Sequence, residues 1–309
     1  MISVAMATYN GQKYIKEQLD SIISQSLKAD EIVISDDGST DDTIAILDDY
    51  ASRYSFIRVT HNVGRHGFVA NFANAISLCG GDYIALCDQD DIWCEDHIKD
   101  LYDNIGDNYI IGGNSLLVNA DGTSQHIAMK DVCGAKLLPQ DNKDFFKSLI
   151  YINIFQGTAC MITRELVEKS LPFPDGIKFH DHYLAVVAAS YDKACYLDKV
   201  VLLYRQHQSN VTTNKKGFIH KIKKVLFSKS ENLSTTEDHI KLLNVIKDRD
   251  LCPEYKSYVD DAITYYTNFI TGKIRANYRQ FMDNYETIYM APRDRLFVIR
   301  YIKHFILGK

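Results

Sequence analysis

The chain has 309 residues, 46% of them hydrophobic and 24% charged, a composition that supports one large globular domain plus an appendage. A net charge of -5 gives no bulk attraction to nucleic acid, and no apolar run approaches the roughly 20 residues that a membrane span needs. The seven cysteines form no C-x-x-C pair and residue 1 opens no basic-then-apolar leader, so reduced thiols in a cytosolic protein are expected.

Residues 2–8 read as a buried strand. Tyr14, Ile15, Leu19, Ile22 and Ile23 then recur at helical spacing over 12–24. A second strand is expected at 31–35. Ser39, Thr40, Asp41 and Asp42 open a helix carrying Ile44, Leu47 and Tyr50. A third strand at 56–60, a helix at 67–78 and a fourth strand at 83–87 follow. Residues 91–105 are expected to be helical after an irregular start. This alternation predicts an α/β domain with a largely parallel sheet and right-handed crossovers. In such sheets the first and fourth strands often flank the point where strand order reverses. Ligands bind there, outside the carboxyl ends of the strands.

Beyond residue 110 the pattern loosens. Strands are expected at 110–119, 158–162 and 195–204, helices at 145–150 and 181–190, and a turn at Asp121-Gly122. A polar stretch at 212–216 leads into helical patterns, so the boundary is set between residues 1–212 and a helical extension, 213–309. Early in that extension Lys215, Lys216, Lys221, Lys223, Lys224 and Lys229 alternate with large apolar residues. Such a basic amphipathic stretch suits the anionic surface of the inner membrane leaflet. It suits equally a helix packed on its own domain, or on a second copy in a homodimer.

Three polar clusters follow three strands directly: Thr8-Tyr9-Asn10-Gly11, Ser35-Asp36-Asp37-Gly38-Ser39 and Asp88-Gln89-Asp90-Asp91. Any one of them alone reads as a turn or a helix cap. Together they bring five carboxylates to one sheet edge, where they repel unless a cation or hydrogen-bond donors offset them. Asp88, Asp90 and Asp91 suit Mg²⁺ or Mn²⁺, which take oxygen ligands from one or two carboxylates and substrate phosphates. Asp36 and Asp37 suit a nucleobase N–H or a ribose hydroxyl, and Tyr9 offers a face for stacking.

With these segments in view, TYNGQKYIKEQLDSI, ISDDGSTDDT, HNVGRHGFVANFANAI and GDYIALCDQDDIW resemble the donor-binding half of the inverting glycosyltransferase family 2. CDQDDIW, HDHYLA and YRQHQSN are most similar to its bacterial cell-surface polysaccharide branch, which includes rhamnosyltransferases. The resemblance covers roughly residues 1–210 and implies a GT-A fold. Residues 1–105 would form the nucleotide-sugar half and 106–212 the acceptor half. It implies that Thr8, Tyr9 and Asn10 line the base and ribose pocket and that Asp36, with Asp37 beside it, meets the base. Asp90 would ligate the metal, Mn²⁺ or Mg²⁺, and Asp88 would hold the ribose or the metal's shell. Asp91 is a lesser candidate. Gly157 matches a glycine loop that lets a sugar approach the backbone, and His207 a histidine that completes the metal and diphosphate site. Asp181 matches the catalytic base. It follows His180 where the family more often has Glu, which leaves the part played by His180 open.

Asp181 also has a physical reading of its own. A carboxylate at a helix N-terminus is oriented by free N–H groups and can take a proton from an attacking hydroxyl, although a plain helix cap would look the same. The resulting expectation is sugar transfer from a nucleotide diphosphate donor to a glycan or polyprenol-linked glycan. The donor is dTDP-L-rhamnose by preference, UDP-galactose or UDP-glucose otherwise. A nucleotidyltransferase would need a glycine-rich, basic loop after the first strand, which TYNGQKYIKEQ lacks. A non-catalytic nucleotide-sugar or glycan-binding partner remains the other alternative.

Overall fold

The computed structural model describes residues 1–133, 135, 138, 142–207, 230–290, 293, 297, 298, 301 and 305. The basic stretch at 215–229 lies outside these residues, as does most of the final segment. The chain forms two compact units. The first comprises residues 1–130, 155–175 and 179–206; the second comprises 131–154, 176–178 and 207–309.

The first unit starts as the alternation predicts. Strands β1 (Ile2–Thr8), β2 (Glu31–Asp36), β3 (Ile57–His61) and β4 (Tyr83–Cys87) are separated by helices α1 (Ile15–Ile23), α2 (Thr43–Arg53) and α3 (Phe68–Leu78). Their order in the sheet is β3-β2-β1-β4, all parallel, so strand order reverses between β1 and β4. β1, β2 and β4 are buried along almost their whole length, whereas β3, at the edge, keeps Arg58 and His61 exposed. α1 turns Ile15, Leu19 and Ile22 into the core and leaves Lys16, Glu17 and Asp20 outside.

The sheet continues as a mixed one. β8 (Cys160–Thr163) runs antiparallel beside β4, and β6 (Ile110–Asn119) antiparallel beside β8. β9 (Ala194–Gln206) returns parallel to β6, and the hairpin strand β7 (Ser124–Ala128) pairs with β6. The expected helix at 91–105 is shorter in fact. Ile92–Trp93 forms β5, antiparallel to Leu202 and Leu203 of β9, and helix α4 (His97–Ile105) begins only afterwards. Backbone pairing to a strand more than a hundred residues away overrides local helix propensity there.

Helix α5 (Met129–Cys133) runs across the end of this unit at residue 130, and α6 (Asn142–Leu149) belongs to the second; α7 (Arg164–Ser170) and α8 (His180–Ala189) belong to the first. α8 is buried on nearly every side, with Asp181 alone half-exposed, so its sequence shows no amphipathic stripe.

The second unit packs α6 with α9 (Ser230–Lys247), α10 (Pro253–Ile270) and α11 (Tyr278–Tyr289). Pro253 stands in the first turn of α10, where its missing N–H costs no helical bond. Phe146 stacks on Tyr255 with ring centroids 4.3 Å apart, and Tyr265, Phe281 and Tyr285 form a second aromatic core. Among the described residues no helix is long and apolar enough to cross a membrane. Cys79, Cys87, Cys94, Cys160, Cys195 and Cys252 are free thiols.

Trp93 and His97 stack face to face at 3.8 Å, and the His97 Nδ1 lies 3.0 Å from the Val201 carbonyl. Burial lowers His97 from 6.5 to about 3. The unfolded chain therefore takes up a proton that the folded chain refuses, so this stability is present above about pH 6.5 and drains away as pH falls. At pH 5 the penalty is about 2 kcal/mol. Chemical denaturation at pH 7 and pH 5 should show wild type losing about that much more than His97→Gln over the interval; parallel losses would exclude a neutral, buried imidazole.

Candidate active site

The site grows from the carboxyl ends of β2, β1 and β4, which lie side by side. β2 ends in Asp36, which is fully buried. Its Oδ1 accepts from the N–H groups of Gly38 (3.0 Å) and Ser39 (2.7 Å), and its Oδ2 from the hydroxyls of Ser39 (2.6 Å) and Thr8 (2.7 Å). Gly38 sits at φ 87, a left-handed conformation that glycine adopts without strain. Asp36 thus folds its own loop back and ties it to β1. Asp37 turns the other way. Its carboxylate accepts from the Asn62 side chain (2.8 Å) and the Gly67 N–H (2.8 Å), and His66 Nδ1 lies 2.9 Å away. Asp37 therefore organises the loop between β3 and α3.

The β1 loop is held from both sides. Asn10, left-handed at φ 49, donates its N–H to Ser39 Oγ (2.8 Å) and accepts from the Thr40 N–H (2.8 Å). The Gly11 N–H donates to Thr43 Oγ1 at 2.8 Å. On the β4 side the Gln89 amide clasps the Tyr9 backbone: its Oε1 accepts from the Tyr9 N–H and its Nε2 donates to the Tyr9 carbonyl, both at 2.9 Å. A Cβ on Gly11 would fall 2.2 Å from Gln89 Oε1, so the clasp requires glycine there. The Tyr9 side chain stays exposed.

After β4 come the acids. Asp88 and Asp90 are half-buried. Burial pushes the Asp88 carboxyl far above the usual range, and the fields of Asp90 and Asp181 add to the rise. Asp91 is fully buried; burial, Asp90 and Asp88 push it up as well. Its Oδ1 accepts from the Arg205 N–H at 3.0 Å, which makes it an anchor for β9 inside the core.

Asp181 lies in the first turn of α8. Its Oδ2 accepts from the Gly157 N–H (3.1 Å) and its Oδ1 from the His182 N–H (2.6 Å). The effect on Asp88 brings Asp181 within electrostatic reach of the acidic loop. Gly157 begins a 3₁₀ turn (Gly157–Ala159), and a Cβ there would meet His180 Nε2 at 2.9 Å. His180 itself is buried and stacks on Phe72 at 4.1 Å, and neither ring nitrogen has a hydrogen-bond partner among the described residues. Burial lowers it to about 3, so it is a neutral ring that wedges the Gly157 loop. His207 follows Gln206 directly beyond β9 and is half-buried.

Among the described residues no group of three or more His, Cys, Asp or Glu side chains is arranged to hold an ion by itself. The donor set nevertheless fits a hard cation: Asp88 and Asp90 are crowded carboxylates whose repulsion a positive charge would relieve. The remaining ligands would come from substrate phosphates, as is usual for Mg²⁺. Gln89, Asn62 and Arg205 had not been singled out in the sequence. An arginine inside the apolar run VVLLYRQ was the one available signal, since a buried guanidinium needs acceptors.

Residues 3–171 match the model of glycosyl transferase family 2. The dTDP-rhamnosyl transferase RfbG of Shigella flexneri is 33% identical over 220 residues, 66% of this chain and 72% of that protein. Glycosyltransferase GlyG of Streptococcus pneumoniae serotype 4 is 26% identical over 281 residues, 84% of this chain and 91% of its own. Among solved structures, S. aureus TarS 1–349 in complex with UDP-GlcNAc aligns with TM-score 0.58 at 19% identity over 86% of this chain and 71% of that one. The mannosyltransferase PcManGT of Pyrobaculum calidifontis, in complex with GDP-Man and Mn²⁺, aligns with TM-score 0.57 at 20% identity over 90% and 75%. These likenesses give the fold as GT-A.

The clasp makes a separable prediction. Gly11→Ala and Gln89→Ala should each cost about 1 kcal/mol in urea denaturation. The double variant should cost little more than either alone, because both remove one interaction. Additive losses would mean that Gly11 and Gln89 act independently.

Proposed function

The chain belongs to glycosyl transferase family 2, and from that premise we propose a donor, an acceptor class and a part for each site residue. It is a glycosyltransferase that uses a nucleotide sugar. The proposed donor is dTDP-L-rhamnose, a choice supported by the likeness to the S. flexneri dTDP-rhamnosyl transferase. The proposed acceptor is a glycan or polyprenol-linked glycan of a bacterial cell surface.

In this reading Tyr9 offers its exposed ring to the base. Thr8, Asn10 and Asp36 hold the loops that receive base and ribose, and Asp37 braces the wall formed by residues 62–67. Gly157 keeps the backbone open to the sugar. A Mn²⁺ or Mg²⁺ ion held by Asp90, with Asp88 beside it, would offset the charge that grows on the diphosphate. The acceptor hydroxyl gives its proton to Asp181. The hydroxyl oxygen then forms a bond to the anomeric carbon from the face opposite the leaving group. The bond from that carbon to the diphosphate oxygen breaks, and the nucleoside diphosphate leaves with the electron pair, inverting the centre. The observation that carries this reading is the orientation of Asp181. Two backbone N–H groups aim its carboxylate, within the field of the acidic loop.

Asp181→Asn should reduce kcat by roughly a hundred- to ten-thousandfold and leave nucleoside diphosphate affinity nearly unchanged, measured by initial rates and calorimetry. Wild-type turnover in that variant would remove Asp181 from the reaction.

A panel of dTDP-rhamnose, UDP-galactose and UDP-glucose with Mn²⁺ should give thermal stabilisation and turnover first with dTDP-rhamnose. EDTA should abolish turnover, and added Mn²⁺ or Mg²⁺ should restore it. Preference for a UDP-hexose would replace the donor; full activity after exhaustive chelation would exclude the cation.

A further inference from the structure

Arg205 is almost wholly enclosed, its side chain 2% exposed. Burying a guanidinium costs several kcal/mol unless every donor is met. Here three parts of the first unit meet it. Nη2 pairs with the Glu17 carboxylate of α1 at 2.5 Å, and Nε donates to the Asp90 carbonyl at 2.9 Å. Nη1 donates to the Ala120 carbonyl in the turn between β6 and β7 at 3.0 Å. The cation also lies 4.8 Å from the centroid of the Tyr14 ring, and the Arg205 backbone N–H holds Asp91. Side chain and backbone of one residue therefore grip two consecutive members of the acidic loop. The planar fork is what allows contacts in three directions; a lysine ammonium is a point charge without that geometry.

The acidic loop needs such a hold. Asp88, Asp90 and Asp91 repel one another, and nothing in their mutual interaction fixes where the Asp90 peptide sits. We infer that Arg205 is a positioning residue: from the last strand it pins the Asp90–Asp91 peptide to α1 and the β6–β7 turn, and so sets the carboxylates that receive the donor's diphosphate. The inference rests on the nucleotide-sugar reading of that loop, and Arg205 acts on it through the Asp90–Asp91 peptide.

The test pairs amide hydrogen exchange with donor kinetics in the full chain. Two variants are used: Arg205→Lys, and Glu17→Gln, whose carboxylate is half-exposed. In Arg205→Lys, amides of residues 88–93 should exchange at least about tenfold faster while those of β2 and β3 stay as in wild type. kcat should fall at least about tenfold, with a smaller change in KM. Glu17→Gln should move both readouts the same way by about threefold with an unchanged Tm. Unchanged exchange at 88–93 in Glu17→Gln and in folded Arg205→Lys would overturn the inference. So would faster exchange with wild-type kcat, since Arg205 would then be structural only. If wild type turned over no nucleotide sugar, the functional reading would fail, and exchange alone would decide whether Arg205 holds the loop.

Discussion

Mutual repulsion among carboxylates is the constraint around which this fold is arranged. β2 and β4 end in five aspartates on either side of β1, and each is held in a different way. Asp36 is surrounded by hydroxyl and amide donors of its own loop and of Thr8. Asp37 gathers Asn62 and the Gly67 amide. Asp91 is taken into the core by the backbone of Arg205. Asp88 and Asp90 stand within electrostatic reach of Asp181, where burial first, and then the fields of Asp90 and Asp181, raise the proton affinity of Asp88. The last two crowd one corner of the sheet edge, and a positive charge placed there would relieve their repulsion.

Much of this was legible in the chain because its signals are local. Apolar runs ending in Thr8, Ser35 and Cys87, each followed by turn-forming polar residues, identify strand ends and the edge they share. Asp181 two residues after the aromatic Phe179, at the head of an apolar run, could be read as a first-turn carboxylate. What was not legible depends on distant partners. Ile92 and Trp93 form a strand only because Leu202 and Leu203 arrive beside them. Asp36 and Asp91 look alike in sequence, and only their surroundings reveal that Asp36 ties its own loop to Thr8 while one oxygen of Asp91 anchors the Arg205 backbone. Gln89 reads as a spacer between two acids until its amide is found on the Tyr9 peptide.

Rigidity at the site has a common origin. The three loops are short, begin on buried strands, and are joined to each other by side-chain–backbone bonds: Asn10 to Ser39 and Thr40, Gln89 to Tyr9, Arg205 to Asp90. α8 adds a helix enclosed on nearly all sides that carries Asp181 on its one accessible turn. Such preorganisation lowers the reorganisation needed as charge develops in a transition state.

Trp93 gives the molecule an optical property that its chemistry does not require. It is the chain's sole indole, buried two residues beyond Asp91 and stacked flat on His97. Every photon that the protein emits from tryptophan therefore originates beside the acidic loop, and no label or second indole blurs its assignment. Emission wavelength and lifetime become a native gauge of how tightly that corner of the fold is sealed, readable in dilute solution during loading, turnover and unfolding alike.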